Sequence, residues 1–315
     1  MVAMPAVLRE FGRRFFDRPY LLLTLTSLFW AGNLVLGRLV AGHVPPVALA
    51  FVRWSGSFVL LIGFAIPHLK RDWPAIRGSL GRLSILALTG VGLYNTMAYW
   101  GLQYTEALNA LLIQSTGPLL IGVWSAVLFR DMMTKAQFAG VLVSLCGVAV
   151  IVTRGDVAAL GHIRFNAGDV CILAAMVVYA LYSAMLRLKP AMHWLSFLTA
   201  TVGLGALFLL PALAVEIALG GRISFDGATL AAAAYVAVFP STLAYLFFIR
   251  GVELIGANRA GPFFHLMPLF GAVLAILLLG ERPQLFHAVG FALVLAGVAV
   301  AARSRRPAPA IAPEP

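Results

Sequence analysis

Long apolar runs broken by short polar stretches fill most of this chain. They predict helices at 20–41, 46–66, 82–103, 107–129, 134–153, 166–187, 193–215, 228–250, 257–279 and 284–302. Each run is close to the ~20 residues a helix needs to cross a hydrocarbon layer of about 30 Å. The links near Val44 and Glu106 admit only tight antiparallel hairpins. Pro45 and Pro46 suit the first turn of span two, where a missing N–H is harmless. Asn166 followed by Asp169 reads as the cap that opens span six. The expected organisation is a basic segment 1–19, a five-helix unit 20–153, a second five-helix unit 166–302, and a disordered tail 303–315.

The two units are related. Displaced by 150 positions, Gly101 falls on Gly251, Ala110 on Ala260, Pro118-Leu119 on Pro268-Leu269, Asp131 on Glu281, and Gly140 on Gly290. The run Gly147-Val148-Ala149-Val150 falls on Gly297-Val298-Ala299-Val300. An ungapped register that keeps glycines, prolines and an acid together is hard to reach by chance. Five spans is an odd number, so the second unit enters the membrane upside down. The fold class expected is therefore an all-α membrane protein of ten transmembrane helices, built as two inverted five-helix repeats, the arrangement of secondary transporters.

Composition agrees. Of 315 residues, 61% are hydrophobic and only 11% charged, against about 25% charged in a soluble domain. So few charges cannot cover a water-facing surface. The net charge of +11 would point to nucleic acid in a soluble protein, but here topology explains it. With the N-terminus inside, sixteen basic residues lie in inner segments and four in outer loops, as the positive-inside rule requires. Both termini are then cytoplasmic, in a bacterial inner membrane. The apolar run after Arg9, Arg13, Arg14 and Arg18 is too long for a signal peptide and has no clear cleavage site, so it reads as an uncleaved first span. Cys146 and Cys171 lie inside apolar runs and read as small buried hydrophobes, with no disulfide framework.

Local motifs then point to a family. Phe29-Trp30-Ala31-Gly32-Asn33 with Gly37-Arg38 resembles the first span of the drug/metabolite transporter superfamily in its EamA branch. Pro45-Pro46 with Phe51-Val52-Arg53-Trp54 resembles the second span. Tyr99-Trp100-Gly101-Leu102-Gln103-Tyr104-Thr105 with Ala107, Asn109, Ala110 and Pro118 resembles spans three and four. Gly251-Val252-Glu253-Leu254-Ile255-Gly256-Ala257, Pro268 and Leu279-Gly280-Glu281-Arg282 resemble the second repeat, while Asp131 stands where the family motif has Glu. The resemblance implies ten spans, cytoplasmic termini and export or exchange of small metabolites. In overall look the chain is similar to the family's exporters of aromatic and other neutral amino acids.

Polar groups in hydrocarbon are costly unless satisfied, so those at mid-depth mark candidate sites. Trp30, Asn33 and Gly37 share one face of span one; Asn95 and Tyr99 lie four apart on span three; Gln114 and Ser115 precede Pro118 on span four. Tyr179 and Tyr182 share a face of span six, and His265 lies on a face of span nine with Gly261 and Pro268. Together they form the expected substrate-binding surface, although each could instead be interhelical glue. Pro118, Pro240 and Pro268 are expected near mid-depth as hinges or static kinks. Arg53 falls roughly 10 Å into span two. It could hold a substrate carboxylate, snorkel outward or bind a neighbouring carbonyl. Gly140 with Gly147, and Gly290 with Gly297, read as close-packing scaffold. Glu253 and Asp131 are placed in loops, and no carboxylate falls at mid-depth. His265 is left as the one mid-depth group able to couple protons; a facilitator driven by the solute gradient is the simpler reading.

No H-E-x-x-H, G-x-S-x-G, Walker loop or paired mid-depth aspartates occur. No cofactor, metal or nucleic-acid partner is expected; the partners are a small-molecule solute and the lipid bilayer. The function expected is export of small metabolites, neutral and aromatic amino acids above all, by alternating access. Proton-coupled export of other metabolites or drugs is the alternative. An intramembrane enzyme or a channel is the rival from another class.

Overall fold

A computed structural model of the chain describes residues 15–39, 44–105, 110, 113–156, 158, 166–221, 226–279 and 284–303. Arg9, Arg13, Arg14, the link at Glu106 with Ala107 and Asn109, Glu281 with Arg282, and the tail from 304 lie outside the described residues, as do the side chains of Gly37 and Arg38. Among the described residues there is no strand, and the helices form ten rods. These are α1 (Pro19–Leu39), α2 (Pro46–Gly78), α3 (Leu80–Ala87, a π turn Leu88–Leu93, then Tyr94–Gly101), α4 (Gly117–Phe129) and α5 (Lys135–Val152). In the second half come α6 (Ala167–Met185), α7 (Trp194–Ala218) and α8 (Gly227–Val236, a π turn Ala237–Leu243, then Ala244–Ile255). Last are α9 (Ala257–Ala260, a 3₁₀ turn Gly261–His265, then Leu266–Leu279) and α10 (Leu285–Ala302). Large apolar side chains such as Phe64, Val127, Val170 and Leu277 stand on the outside, facing lipid.

The packing obeys the repeat. α5 packs on α10 and α2 on α7, each helix against its own counterpart. The pairing α1–α8 is matched by α6–α3, and α1–α9 by α6–α4. The first helix of each half is thus held by the other half. The axis relating the halves passes through the α5–α10 seam, where Gly140 meets Gly297 and Gly147 meets Gly290. These two contacts exchange under the 150-residue shift, and they run antiparallel, so the halves are inverted. A Cβ at Gly140 would lie 2.6 Å from the Gly297 carbonyl oxygen, and one at Gly147 would lie 2.7 Å from the Val294 nitrogen. Backbone-to-backbone approach of this kind is how small residues join helices in lipid, where no hydrophobic force acts between them.

The helix ends follow the sequence, with corrections. Pro45 and Pro46 open α2 as expected, and Glu216 from the far end of α7 accepts hydrogen bonds from Val47 N (3.0 Å) and Ala48 N (2.7 Å). An anion at a helix N-terminus is favourable. Asn166 and Asp169 form the expected capping box. The second span does not end at 66: α2 continues through Pro67 and Pro74 to Gly78, so Lys70, Arg71 and Arg77 stand on helix rather than loop. At 33 residues it is roughly 50 Å long and overruns the hydrocarbon. Glu253 is in the last turn of α8, paired with Lys189 (2.5 Å) and Arg250 (3.3 Å), and not in a loop. Cys146 is exposed and Cys171 half-buried, neither a core residue; both are free thiols. A lipid-facing position is apolar too, which is why the surrounding run misled.

The seam yields a prediction. Gly147→Ala should lower the unfolding free energy by about 1–3 kcal/mol through overpacking. Gly63→Ala, where nothing lies within 4 Å of the added carbon, should be neutral or slightly stabilising. Thermal unfolding of both variants in one detergent checks the contrast.

Candidate functional site

Two departures from regular helix shape the interior. The π turns of α3 and α8 occupy equivalent positions in the two repeats, and each releases a carbonyl from the helix ladder. In α8, Pro240 also lacks an N–H. Ser241 and Thr242 donate their hydroxyls to Val236 O (2.5 Å) and Ala237 O (2.8 Å), five residues back. The Pro240 carbonyl is left free and accepts from Trp30 Nε1 at 3.1 Å and Arg53 Nη2 at 3.0 Å. In α3 the equivalent carbonyl, Gly90 O, accepts from the Tyr245 hydroxyl of α8.

Arg53 stands between the halves, 1% exposed. Its Nη1 donates to Asn95 Oδ1 and to the Tyr99 hydroxyl, both at 2.9 Å, and its Nε donates to Ser241 Oγ at 2.5 Å. Tyr99 passes its own proton to Asn33 Oδ1 at 2.9 Å. All these acceptors are neutral. The ion pairs among the described residues use Asp17, Asp72 and Glu253, and none includes Arg53. A guanidinium has five donors, and the four bonds above leave one N–H unassigned.

This network borders a cavity of about 20 Å³ lined by Trp30, Asn33, Arg53, Tyr94, Asn95, Ala98, Tyr99, Leu102, Gln114 and Met267. That volume suits about one water molecule. Behind it stands an aromatic wall. Trp30 is 5.6 Å from Tyr179 and 5.3 Å from both Phe248 and Phe264, ring centre to ring centre, and Tyr94 is 4.5 Å from Tyr179. The Tyr179 hydroxyl is buried with no hydrogen-bond partner among the described residues.

Trp30, Asn33, Asn95, Tyr99, Gln114 and Arg53, all expected from the sequence, meet at this cavity. Tyr179 and Tyr182 share a buried face as expected but stand behind it; the Tyr182 ring fills the space over Gly90. Ser115 and His265 do not line it. His265 is 0% exposed, with Nε2 2.7 Å from Ser115 O and Nδ1 against the Ser144 hydroxyl. A carbonyl partner requires the proton on Nε2, so Nδ1 is the acceptor. His265 thereby ties α9 to α4 and α5, and its partner Ser115 is its own equivalent in the other repeat. Pro118 and Pro268 are not mid-helix kinks: each lies in the first turn of a helix that restarts after a break, at equivalent points of α4 and α9. Of these three prolines, Pro240 alone sits inside a continuous rod. Four participants were missed: Tyr94, Met267, Ser241 and Tyr245. Tyr245 was within reach, because the 150-residue shift that relates the repeats carries Asn95 onto it.

Tyr99→Phe and Asn33→Ala should be coupled, since they share one buried hydrogen bond. A double-mutant cycle on unfolding is expected to give about 0.5–1.5 kcal/mol of interaction energy. Additive effects would mean the bond contributes nothing.

The sequence model of the EamA-like transporter family matches residues 18–153 and 166–303, one segment per repeat. An uncharacterized transporter of Archaeoglobus fulgidus is 29% identical over 284 residues, 90% of this chain and 96% of that protein. A probable terminal-alkyne amino-acid exporter of Streptantibioticus cattleyicolor is 29% identical over 277 residues, 88% of this chain and 90% of its own. A crystal structure of a protein with 20% sequence identity superposes with a TM-score of 0.72, covering 90% of this chain and 96% of the other, which shows a shared fold.

Proposed function

The chain belongs to the EamA-like transporter family, and from that premise we propose that it exports neutral amino acids, aromatic ones among the better substrates, by alternating access. The bundle lies in a bacterial inner membrane with both termini in the cytoplasm. The observation that carries the reading is Arg53. A cation buried between the halves, with neutral partners and a spare donor, is the complement of a carboxylate. The aromatic wall around Trp30 offers apolar area for a ring. The unpaired Tyr179 hydroxyl beside it is a further polar contact. A relative described as a probable amino-acid exporter is in keeping with this substrate class.

The driving force is the solute's own gradient. No carboxylate lines the cavity among the described residues, and His265 is spent on two hydrogen bonds away from it. In this reading α5 and α10 form the fixed seam, while the π turns of α3 and α8 and the breaks of α4 and α9 are where the two halves bend.

Purified protein in liposomes preloaded with phenylalanine should accelerate entry of labelled phenylalanine, as counterflow demands of a carrier. Phenethylamine, which lacks the carboxylate, should neither exchange nor compete. Arg53→Gln should slow exchange about tenfold or more, because a lost buried charge contact costs 2–5 kcal/mol. Equal movement of the amine, or wild-type exchange by folded Arg53→Gln, would remove the carboxylate role. Uphill accumulation that collapses with a protonophore would replace the facilitator by a proton-coupled carrier.

A further inference from the structure

A second concavity lies on the outside of the bundle. It follows the seam between α2 and α7, reaches the start of α3, and has a volume of about 510 Å³. Its walls are apolar: Phe58, Val59 and Ile62 from α2, Leu204 and Leu207 from α7, and Leu80 from α3. Two lining residues, Ser55 and Thr199, carry hydroxyls. Thr199 is fully buried, and its hydroxyl has no hydrogen-bond partner among the described residues. Thr201, two residues on, makes the usual bond to the carbonyl of Phe197 (2.8 Å).

The groove's far end is charged. Because α2 overruns the hydrocarbon, its last turns stand at headgroup level. Lys70, Trp73 and Arg77 recur there at i, i+3 and i+7, on one helix face. Trp73 itself lines the groove and is 55% exposed, in the manner of an interfacial anchor. Lys70 and Arg77 are exposed, and neither forms an ion pair among the described residues. The nearest acid in sequence, Asp72, is occupied by Arg71 (3.3 Å) and by the backbone N–H of His193 (2.9 Å). The pattern is a trough for a hydrocarbon chain that ends in two free cations. A second copy of this chain docked by the same face would bring those cations against themselves.

We propose that the α2–α7 groove is a specific site for one anionic phospholipid, its acyl chain lying along the trough and its phosphate held between Lys70 and Arg77. The assignment of this end to the cytoplasmic leaflet rests on the topology proposed above; binding itself depends neither on that orientation nor on the transported solute. α2 carries Arg53 on its inner face, so a lipid seated here bears directly on the helix that holds the central cation.

Native mass spectrometry of the full-length protein in detergent tests this, with equimolar palmitoyl-oleoyl phosphatidylglycerol and palmitoyl-oleoyl phosphatidylcholine added. The wild type should retain one phosphatidylglycerol in preference to phosphatidylcholine. Lys70→Gln with Arg77→Gln, both at exposed positions, should reduce that preference roughly thirtyfold, since each cation is worth about 1 kcal/mol near an anionic headgroup. Glycerol phosphate without acyl chains should not compete; if it did, the cations would be a plain phosphate site. Equal retention of the two lipids by the wild type, or undiminished preference in the double variant, would overturn the proposal. Counterflow of phenylalanine fails or succeeds independently of every one of these readings.

Discussion

A guanidinium in the middle of a membrane protein is the constraint around which this interior is organised. Leaving a charge in hydrocarbon without partners costs several kcal/mol, so most of the Arg53 donors have to be met within the chain, and four of the five are. Helical backbone cannot help, because its carbonyls are already engaged. The π turn of α8 solves this by releasing Pro240 O, which serves Arg53 and Trp30 together. Asn95, Tyr99 and Ser241 take the remaining bonds, and Asn33 steadies Tyr99. One charge on α2 thus fixes the facing surfaces of α1, α3 and α8. Neutral partners leave the site positive overall.

Inverted repetition supplies the mechanical counterpart. The α5–α10 seam is held by backbone-to-backbone contacts at four glycines and has no room to slide. The irregular segments lie elsewhere, in equivalent pairs: π turns in α3 and α8, restarts in α4 and α9. Close-packed and irregular elements are therefore separated, and each irregular element has a twin in the opposite half. The His265 to Ser115 contact joins two such twins directly. The cavity between them holds about 20 Å³, and the paired irregularities lie on the helices that surround it.

How legible this was from the residues alone differs from element to element. Ten spans and their inversion were readable because lipid imposes a length and a polarity on each helix, and an ungapped repeat preserves both. The glycine pairs were readable because spacing of seven on a helix means one face. Trp30, Asn33, Asn95, Tyr99, Gln114 and Arg53 were readable as a group, since polar atoms at mid-depth have to find one another. Ser241 was not: its role depends on the π turn, and nothing local distinguishes a serine that satisfies a released carbonyl from one that satisfies a helix. Nor was the placement of Pro118 and Pro268 at helix restarts, because a proline signals a break without saying on which side of it the helix continues.

The chain by itself determined what the bilayer and the repeat enforce: the number of spans, their inversion, the close seam, and the set of polar side chains that had to be buried together. Those follow from one-dimensional requirements of length, polarity and periodicity. Tertiary structure alone decided which of them meet. His265 and Tyr99 look alike in sequence as polar groups at mid-depth, yet one bolts three helices together and the other faces the cavity. The difference lies in the rotation of each helix about its axis and in what the opposite half presents there. Such a rotation is set by packing across the pseudo-two-fold, a contact between residues far apart in the chain, and no local pattern encodes it.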